Sequence, residues 1–329
     1  MIIRFKKRPR ITHFASVGGK SERDGPLGDM LDNYDESDYF GMKTWEKAEA
    51  EMQRLALFEA MTKGNFVDSE IDMLFAGDLM NQCVSSGYGL LSFDIPFAGL
   101  YGACSTCAES IALASCMTSA YLRRCAAVTS SHFCSAERQF RYPLEYASLR
   151  TPTSQRTVTG AGAFIIESEG DGVMISEVMF GKSFDSKIKD TNNMGEAMTV
   201  AAVDTLTRFF KNSATLPSDY DAIYTGDLGY EGRALTVQGM LENGYDINDR
   251  YDDCGLLIFN RKMQDAASGG SGCGCSALVL ATKILPEMLE NKMKNVLFVA
   301  TGALMSTSSI QQGLSIPSIA HLIHLTLEE

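Results

Sequence analysis

Apolar and polar positions along this chain run through the same order twice: a helix, a strand, a helix that opens from a turn of small residues, and a second strand. Trp45, Ala48, Met52, Leu55 and Phe58 recur at three- and four-residue spacing, which predicts an amphipathic helix closed by Gly64. Its counterpart is predicted over residues 196–210. Continuous apolar runs at 71–76 and 222–225 predict buried strands. Small-residue turns then lead into helices over 102–121 and 269–289, and second strands follow at 126–130 and 296–301. The first of these later helices carries Cys107, Ala108, Ile111, Ala112, Leu113, Ala114, Cys116 and Ala120. Being small or apolar on nearly every face, it belongs inside the molecule.

Three local echoes support a duplication. Asp72-Met73-Leu74-Phe75-Ala76-Gly77-Asp78-Leu79 is matched by Asp221-Ala222-Ile223-Tyr224-Thr225-Gly226-Asp227-Leu228. Gly102-Ala103-Cys104-Ser105-Thr106-Cys107-Ala108 is matched by Ser271-Gly272-Cys273-Gly274-Cys275-Ser276-Ala277, and Ala126-Ala127-Val128-Thr129 by Phe298-Val299-Ala300-Thr301. The order is kept, and the spacing widens as loop insertions would widen it. The expected organisation is two α/β halves, 1–169 and 170–329, meeting at the polar turn Ser168-Glu169-Gly170-Asp171-Gly172. A buried helix layer between two sheets, with outer helices on each sheet, gives five layers, α-β-α-β-α, about an approximate two-fold axis.

Composition narrows the function classes. The chain has 329 residues, 45% of them hydrophobic, and a formal net charge of −12. Such a surface repels phosphate backbones, so no nucleic-acid partner is expected. The one concentrated basic stretch is Lys6-Lys7-Arg8-Pro9-Arg10. No apolar segment follows it, so it is not read as a secretory signal. It is either a solvated terminus or a contact to anionic lipid headgroups, where each basic residue contributes on the order of 1 kcal/mol. No stretch reads as a bilayer span, since the most apolar helix candidate, 276–289, is interrupted by Lys283 and Pro286. Nine cysteines lie within apolar runs and helix starts, which suggests buried thiols in a reducing compartment.

Cys104 is the outstanding candidate for chemistry. It follows a Gly-Ala turn and opens a helix, where the helix dipole and free N–H groups favour thiolate. The alternative is a small buried hydrophobe. Cys104 and Cys107 also form a C-x-x-C pair, which raises redox chemistry, or zinc if Cys273 and Cys275 complete four ligands. The tight C-x-C spacing and the core-helix setting weigh against both, and no metal or cofactor is expected.

A cysteine opening a buried helix, in duplicated halves whose strands end in Gly-Asp-Leu, resembles the thiolase and β-ketoacyl synthase superfamily. The segments Asp24-Gly25-Pro26-Leu27-Gly28, Ala76-Gly77-Asp78-Leu79-Met80-Asn81-Gln82 and Thr129-Ser130-Ser131-His132 narrow this further. So do Ala136-Glu137-Arg138-Gln139-Phe140-Arg141-Tyr142-Pro143, Asp253-Cys254-Gly255-Leu256, Gly269-Gly270-Ser271-Gly272-Cys273, Ala300-Thr301-Gly302-Ala303-Leu304 and Ile316-Pro317-Ser318-Ile319-Ala320-His321. Together they are similar, over essentially the whole chain, to the stage V sporulation protein AD family. The resemblance implies a thiolase-like fold. Enzymes of the superfamily pair the cysteine with His and Asn, two His, or a second Cys, supplied by loops of the second half. Here Gly270 is expected at one of those places, with Asp227 and Leu228 at the other, while His321 and His324 lie near the end of the chain. Losing such groups costs several kcal/mol of transition-state stabilisation, so the chain is expected not to be an enzyme.

The resemblance implies instead binding of dipicolinic acid (pyridine-2,6-dicarboxylate), with or without calcium, in support of its uptake into the developing spore and its release in germination. A flat dianion needs cationic or N–H donors and a slot for the ring. The residues expected to supply the site are Cys104, Asp78, Asn81, His132, Ser135, Arg138, Arg141 and Gly270, with Met194-Gly195 bordering it. Asp78 and Asp227 recur in both halves, which also suits a loop-capping role. Arg138 and Arg141 also suit ion pairs with Glu137 and Glu145. Implied partners are integral membrane subunits of the same sporulation system and a second copy in a homodimer, with the chain peripheral to the inner spore membrane. Two rivals remain: an acyl-thioester condensing enzyme resembling ketoacyl synthase III, and a purely structural subunit of the membrane complex.

Overall fold

A computed structural model describes residues 1–140 and 151–327. In the first half the chain forms β1 (Arg10–Gly19), α1 (Trp45–Lys63), β2 (Met73–Gly77), β3 (Phe97–Leu100), α2 (Thr106–Ala120), β4 (Arg124–Ser131), α3 (Phe133–Phe140) and β5 (Gly160–Glu167). The second half gives β6 (Val173–Met179), α4 (Met194–Ser213), β7 (Ala222–Thr225), α5 (Gly229–Glu242), β8 (Tyr251–Asp253), α6 (Cys273–Val279), β9 (Asn295–Ala303) and β10 (Pro317–Thr326). Helix α6 runs on through a π turn at Leu280–Ile284 into Leu285–Leu289, so Lys283 and Pro286 interrupt its hydropathy but not its path.

Strand order shows the duplication more plainly than sequence does. The first half runs β3-β2-β4-β5-β1 and the second β8-β7-β9-β10-β6. In each, three parallel strands are followed by two antiparallel ones. The two sheets do not stay apart. They join where β1 meets β6, at Arg10↔Met174 and Ile11↔Val173, into one hydrogen-bonded path.

Period-two alternation sorts the side chains into layers. On β5, Phe164 and Ile166 face the interior with Cys125 and Ala127 of β4, while Ala161, Ala163 and Ile165 face α1. On β9, Val296, Phe298 and Ala300 face the interior, and Leu297 and Val299 face α4. Helix α2 packs on β2, β4 and β5 of the first sheet and on β9 and β10 of the second, and α6 packs on β4, β5 and α2. The five predicted layers are present: α1, first sheet, α2 with α6, second sheet, α4 with α5.

The sequence misplaced the inner face of α1. Ala48 and Met52 are buried as expected, but Phe58 is 51% exposed, and Glu49 and Gln53 take the buried positions. That face meets polar groups of β4 and of the loop after β2, so apolar spacing could not locate it.

Candidate functional site

Cys104 sits where β3 turns into α2. The turn Ala103–Ser105 is 3-10 and begins with Ala103 at φ +51°, in the left-handed region that a non-glycine residue adopts at a cost of order 1 kcal/mol. Three hydrogen bonds hold it there: Gly102 N to Thr106 Oγ1 at 3.0 Å, Ser105 Oγ to Gly102 O at 2.6 Å and Thr106 Oγ1 to Ala103 O at 2.7 Å. Strand β9 of the other half presses directly on this turn. A Cβ at Gly302 would lie 2.4 Å from Gly102 O. The bare backbone at 302 therefore lets the second half reach the thiol.

What it brings there is a carboxyl group. Asp227 follows β7, is fully buried, and places its carboxyl beside the Cys104 thiol. Its Oδ2 accepts from Gly272 N at 2.8 Å and Ser271 Oγ at 3.1 Å, and its Oδ1 from Thr301 Oγ1 at 2.9 Å. Gln155 Nε2 donates to Asp227 O at 2.5 Å and to Gly270 O at 3.1 Å, tying the two loops together. Cys273 packs against Cys104, Leu79, Ala103 and Ala136, and its thiol donates to Ser130 O.

Two expectations change. The helix start does not make Cys104 a thiolate. Burial, and after it the Asp227 charge, push the thiol well above its ordinary value, against a smaller opposite pull from Gly272 N and Ser271 Oγ. Nor is Gly270 the residue beside the sulfur. A Cβ at 270 would point away from it, 2.4 Å from Ile258 Cγ2 and 3.1 Å from Val158 Cγ2. Ser271, one residue on, faces Asp227 and the thiol. Alternation along the short strand Gly270–Ser271 sends neighbouring side chains to opposite sides.

The remaining expected residues do not converge on Cys104. Asp78 holds its own loop, accepting from Met80 N and Ser86 N at 2.8 Å each and from Ser86 Oγ at 2.6 Å. Ser135 donates to Glu49 Oε2 at 2.6 Å. His132 sets Nε2 2.9 Å from Asp38 O, while its Nδ1 accepts from Cys134 N at 3.1 Å. The ring is thus a neutral Nε2–H tautomer packed against Trp45, and burial lowers its pKa. Asn81 is exposed. Arg138 is paired with Glu46, not with Glu137. Arg141, with Glu145, lies outside the described residues. Met194 borders a cleft of about 30 Å³ that Gln155, Thr157, Glu137 and Met305 also line, room for about one water.

The other histidines are engaged elsewhere. His13 meets Thr12, His321 accepts from Gly181 N, and His324 lies between Glu177 and Asn295. Among the described residues, no group of three or more His, Cys, Asp or Glu is placed to hold a metal. Cys107, of the C-x-x-C pair, is a fully buried thiol pushed up to about 12 by desolvation.

Sequence reasoning missed a buried polar cluster behind Asp78. Glu49 accepts from Ser130 Oγ at 2.9 Å and from Ser135. Gln53 Nε2 donates to Gly77 O at 3.2 Å, Ser86 Oγ at 3.0 Å and Ser130 Oγ at 2.8 Å. Burial first, then the Asp78 charge, raise the Glu49 carboxyl to about 8, so it is mostly protonated at neutral pH. The only hint in the sequence was a Glu and a Gln four residues apart, beside Ala48 and Met52.

Comparison with known proteins identifies the family and the fold. The model of the family described as stage V sporulation protein AD matches residues 1–326. The stage V sporulation protein AD of Bacillus subtilis (strain 168) is 43% identical over 308 residues, covering 93% of this chain and 90% of that protein. Among solved structures, cerulenin-bound OleA of Xanthomonas campestri superposes with a TM-score of 0.62 at 12% identity, over 99% of this chain and 100% of that one. The 3-oxoacyl-[acyl-carrier-protein] synthase III of Aquifex aeolicus VF5 gives 0.55 at 12% identity, over 97% and 100%. At that identity these two establish the fold.

Proposed function

The chain belongs to the stage V sporulation protein AD family, and from that premise we propose that it is a non-catalytic, thiolase-like protein that binds dipicolinic acid and supports its movement into the developing spore and out of it in germination. One observation carries the non-catalytic part. Cys104 is a buried thiol beside a buried carboxyl, and burial first, then that carboxyl, push it well above its ordinary value against the smaller pull of Gly272 N and Ser271 Oγ. A condensing enzyme needs a nucleophilic sulfur and a base or oxyanion donors at the acyl carbonyl. Burial opposes the first requirement by raising the thiol, and Asp227, itself raised by burial, adds to this when ionised.

The ligand follows from family membership. We place the protein at the inner spore membrane with integral membrane subunits. No helix among the described residues is long and apolar enough to cross a bilayer, which supports a peripheral attachment through such partners. A homodimer is supported by β3, an outer strand of the sheet path that carries Phe97 at 44% exposure.

Titration calorimetry with dipicolinate, with and without calcium, tests the reading. Saturable binding supports it, and a dissociation constant weaker than about millimolar removes the ligand assignment. The shared fold with condensing enzymes keeps one rival alive, which predicts acylation of Cys104 by an acyl-thioester and turnover abolished by Cys104→Ala.

A further inference from the structure

The structure holds a cleft rich in basic side chains, against the net negative charge of the chain. It lies where the segment before β1 crosses β6, β9 and β10, well away from Cys104, and encloses about 710 Å³. Arg4 and Arg8 line it from that segment and Lys294 from the turn before β9; among the described residues the one acid in its lining is Glu177. In a chain of net charge −12 this is a local excess of positive charge.

The acid is already spoken for. Arg4 Nε donates to Glu177 Oε1 at 2.6 Å, and His324 Nδ1 lies 3.3 Å from Oε2. His324 Nε2 lies 2.5 Å from Asn295 Oδ1. The orientation of that amide is set by its Nδ2, which donates to Asp219 O at 2.6 Å. Both imidazole nitrogens thus face oxygen atoms of neighbouring side chains. The neighbouring acids are turned to backbone: Asp221 accepts from Lys294 N and Asn295 N, and Asp219 from Leu216 N. Among the described residues, Arg8 and Lys294 have no acidic partner; Arg8 reaches only Met174 Sδ, at 3.9 Å. Hydroxyls of Ser213, Thr215 and Thr326 and the ring of Tyr220 line it as well, beside the apolar side chains of Phe5, Met174 and Leu327.

We propose that this cleft is a second ligand site, for a small oxyanion bearing phosphate or clustered carboxylate groups. Guanidinium and ammonium groups with hydroxyl donors suit such oxygens, and the volume falls within the range of small-molecule sites. A free anion and an anionic lipid headgroup share this chemistry.

The test uses the full chain and two double variants. Arg8→Gln/Lys294→Gln removes the unpaired cations of the cleft. Lys6→Gln/Lys7→Gln removes as much charge from exposed positions outside its lining. Binding of inorganic phosphate is followed by calorimetry, and retention on phosphatidylglycerol vesicles by flotation against phosphatidylcholine vesicles, with thermal melts confirming that both variants fold. We expect binding to weaken about tenfold or more in the first variant, in line with the loss of charge-assisted bonds, and to change little in the second. Such selective loss seen with phosphate assigns a free anion, and seen with vesicles a headgroup. Binding of neither probe by the unaltered chain, or equal weakening in both variants, overturns the site.

Discussion

Glu49→Gln probes the buried acid behind the site with an isosteric change. The Glu49 carboxyl is fully buried, bonded by Ser130 and Ser135, and raised from 4.5 to about 8. A carboxyl raised on folding binds its proton more tightly in the folded chain. Its contribution to stability is therefore full below about 4.5 and is lost as pH rises towards 8. At about 1.36 kcal/mol per pH unit, that interval corresponds to about 5 kcal/mol, an upper bound because Asp78 shares the titration. Glutamine keeps the shape and an acceptor for the serine hydroxyls but cannot ionise. Guanidinium unfolding between pH 5 and 9 should show the native chain losing stability relative to Glu49→Gln by several kcal/mol. Glu22, raised to about 8, and Asp253, raised to about 7, leave the variant a smaller residual decline. Parallel pH dependence in the two proteins would refute the reasoning, because Glu49 would then titrate alike folded and unfolded.

Two further outcomes follow from the thiol's surroundings. Asp227→Asn removes the charge that raises Cys104 while keeping an acceptor for Gly272 N, so iodoacetamide should modify Cys104 at least several-fold faster at pH 8; peptide mass spectrometry measures the rate, and an unchanged rate contradicts the assigned role. Gly270→Ala forces a methyl to within 2.4 Å of Ile258 Cγ2, so unfolding should occur at lower denaturant by about 1–3 kcal/mol, whereas a neutral result would place residue 270 in open space.

Much of the architecture was legible because it depends on patterns that the chain repeats. The strand 222–225 was read closely and the span 102–121 holds the observed helix Thr106–Ala120, since a run of apolar or small residues has few alternatives to burial. The site was legible only in part. Cys104 could be placed at a helix start, but its protonation depends on Asp227 arriving from the other half, which no local pattern encodes. Ser271 was missed by one position, and in an extended segment that error reverses which side chain faces the sulfur. Glu49 and Gln53 drew no notice in the sequence because their partners, Ser130 and Ser135, lie about eighty residues away.

The most direct test of the account is intact-protein mass spectrometry of the chain after incubation with an acyl-thioester at neutral pH. A thiol held protonated by burial and by Asp227 predicts an unmodified mass, with no adduct on Cys104 above that of a Cys104→Ala control. Rapid stoichiometric acylation of Cys104, followed by release of a condensed product, would contradict it.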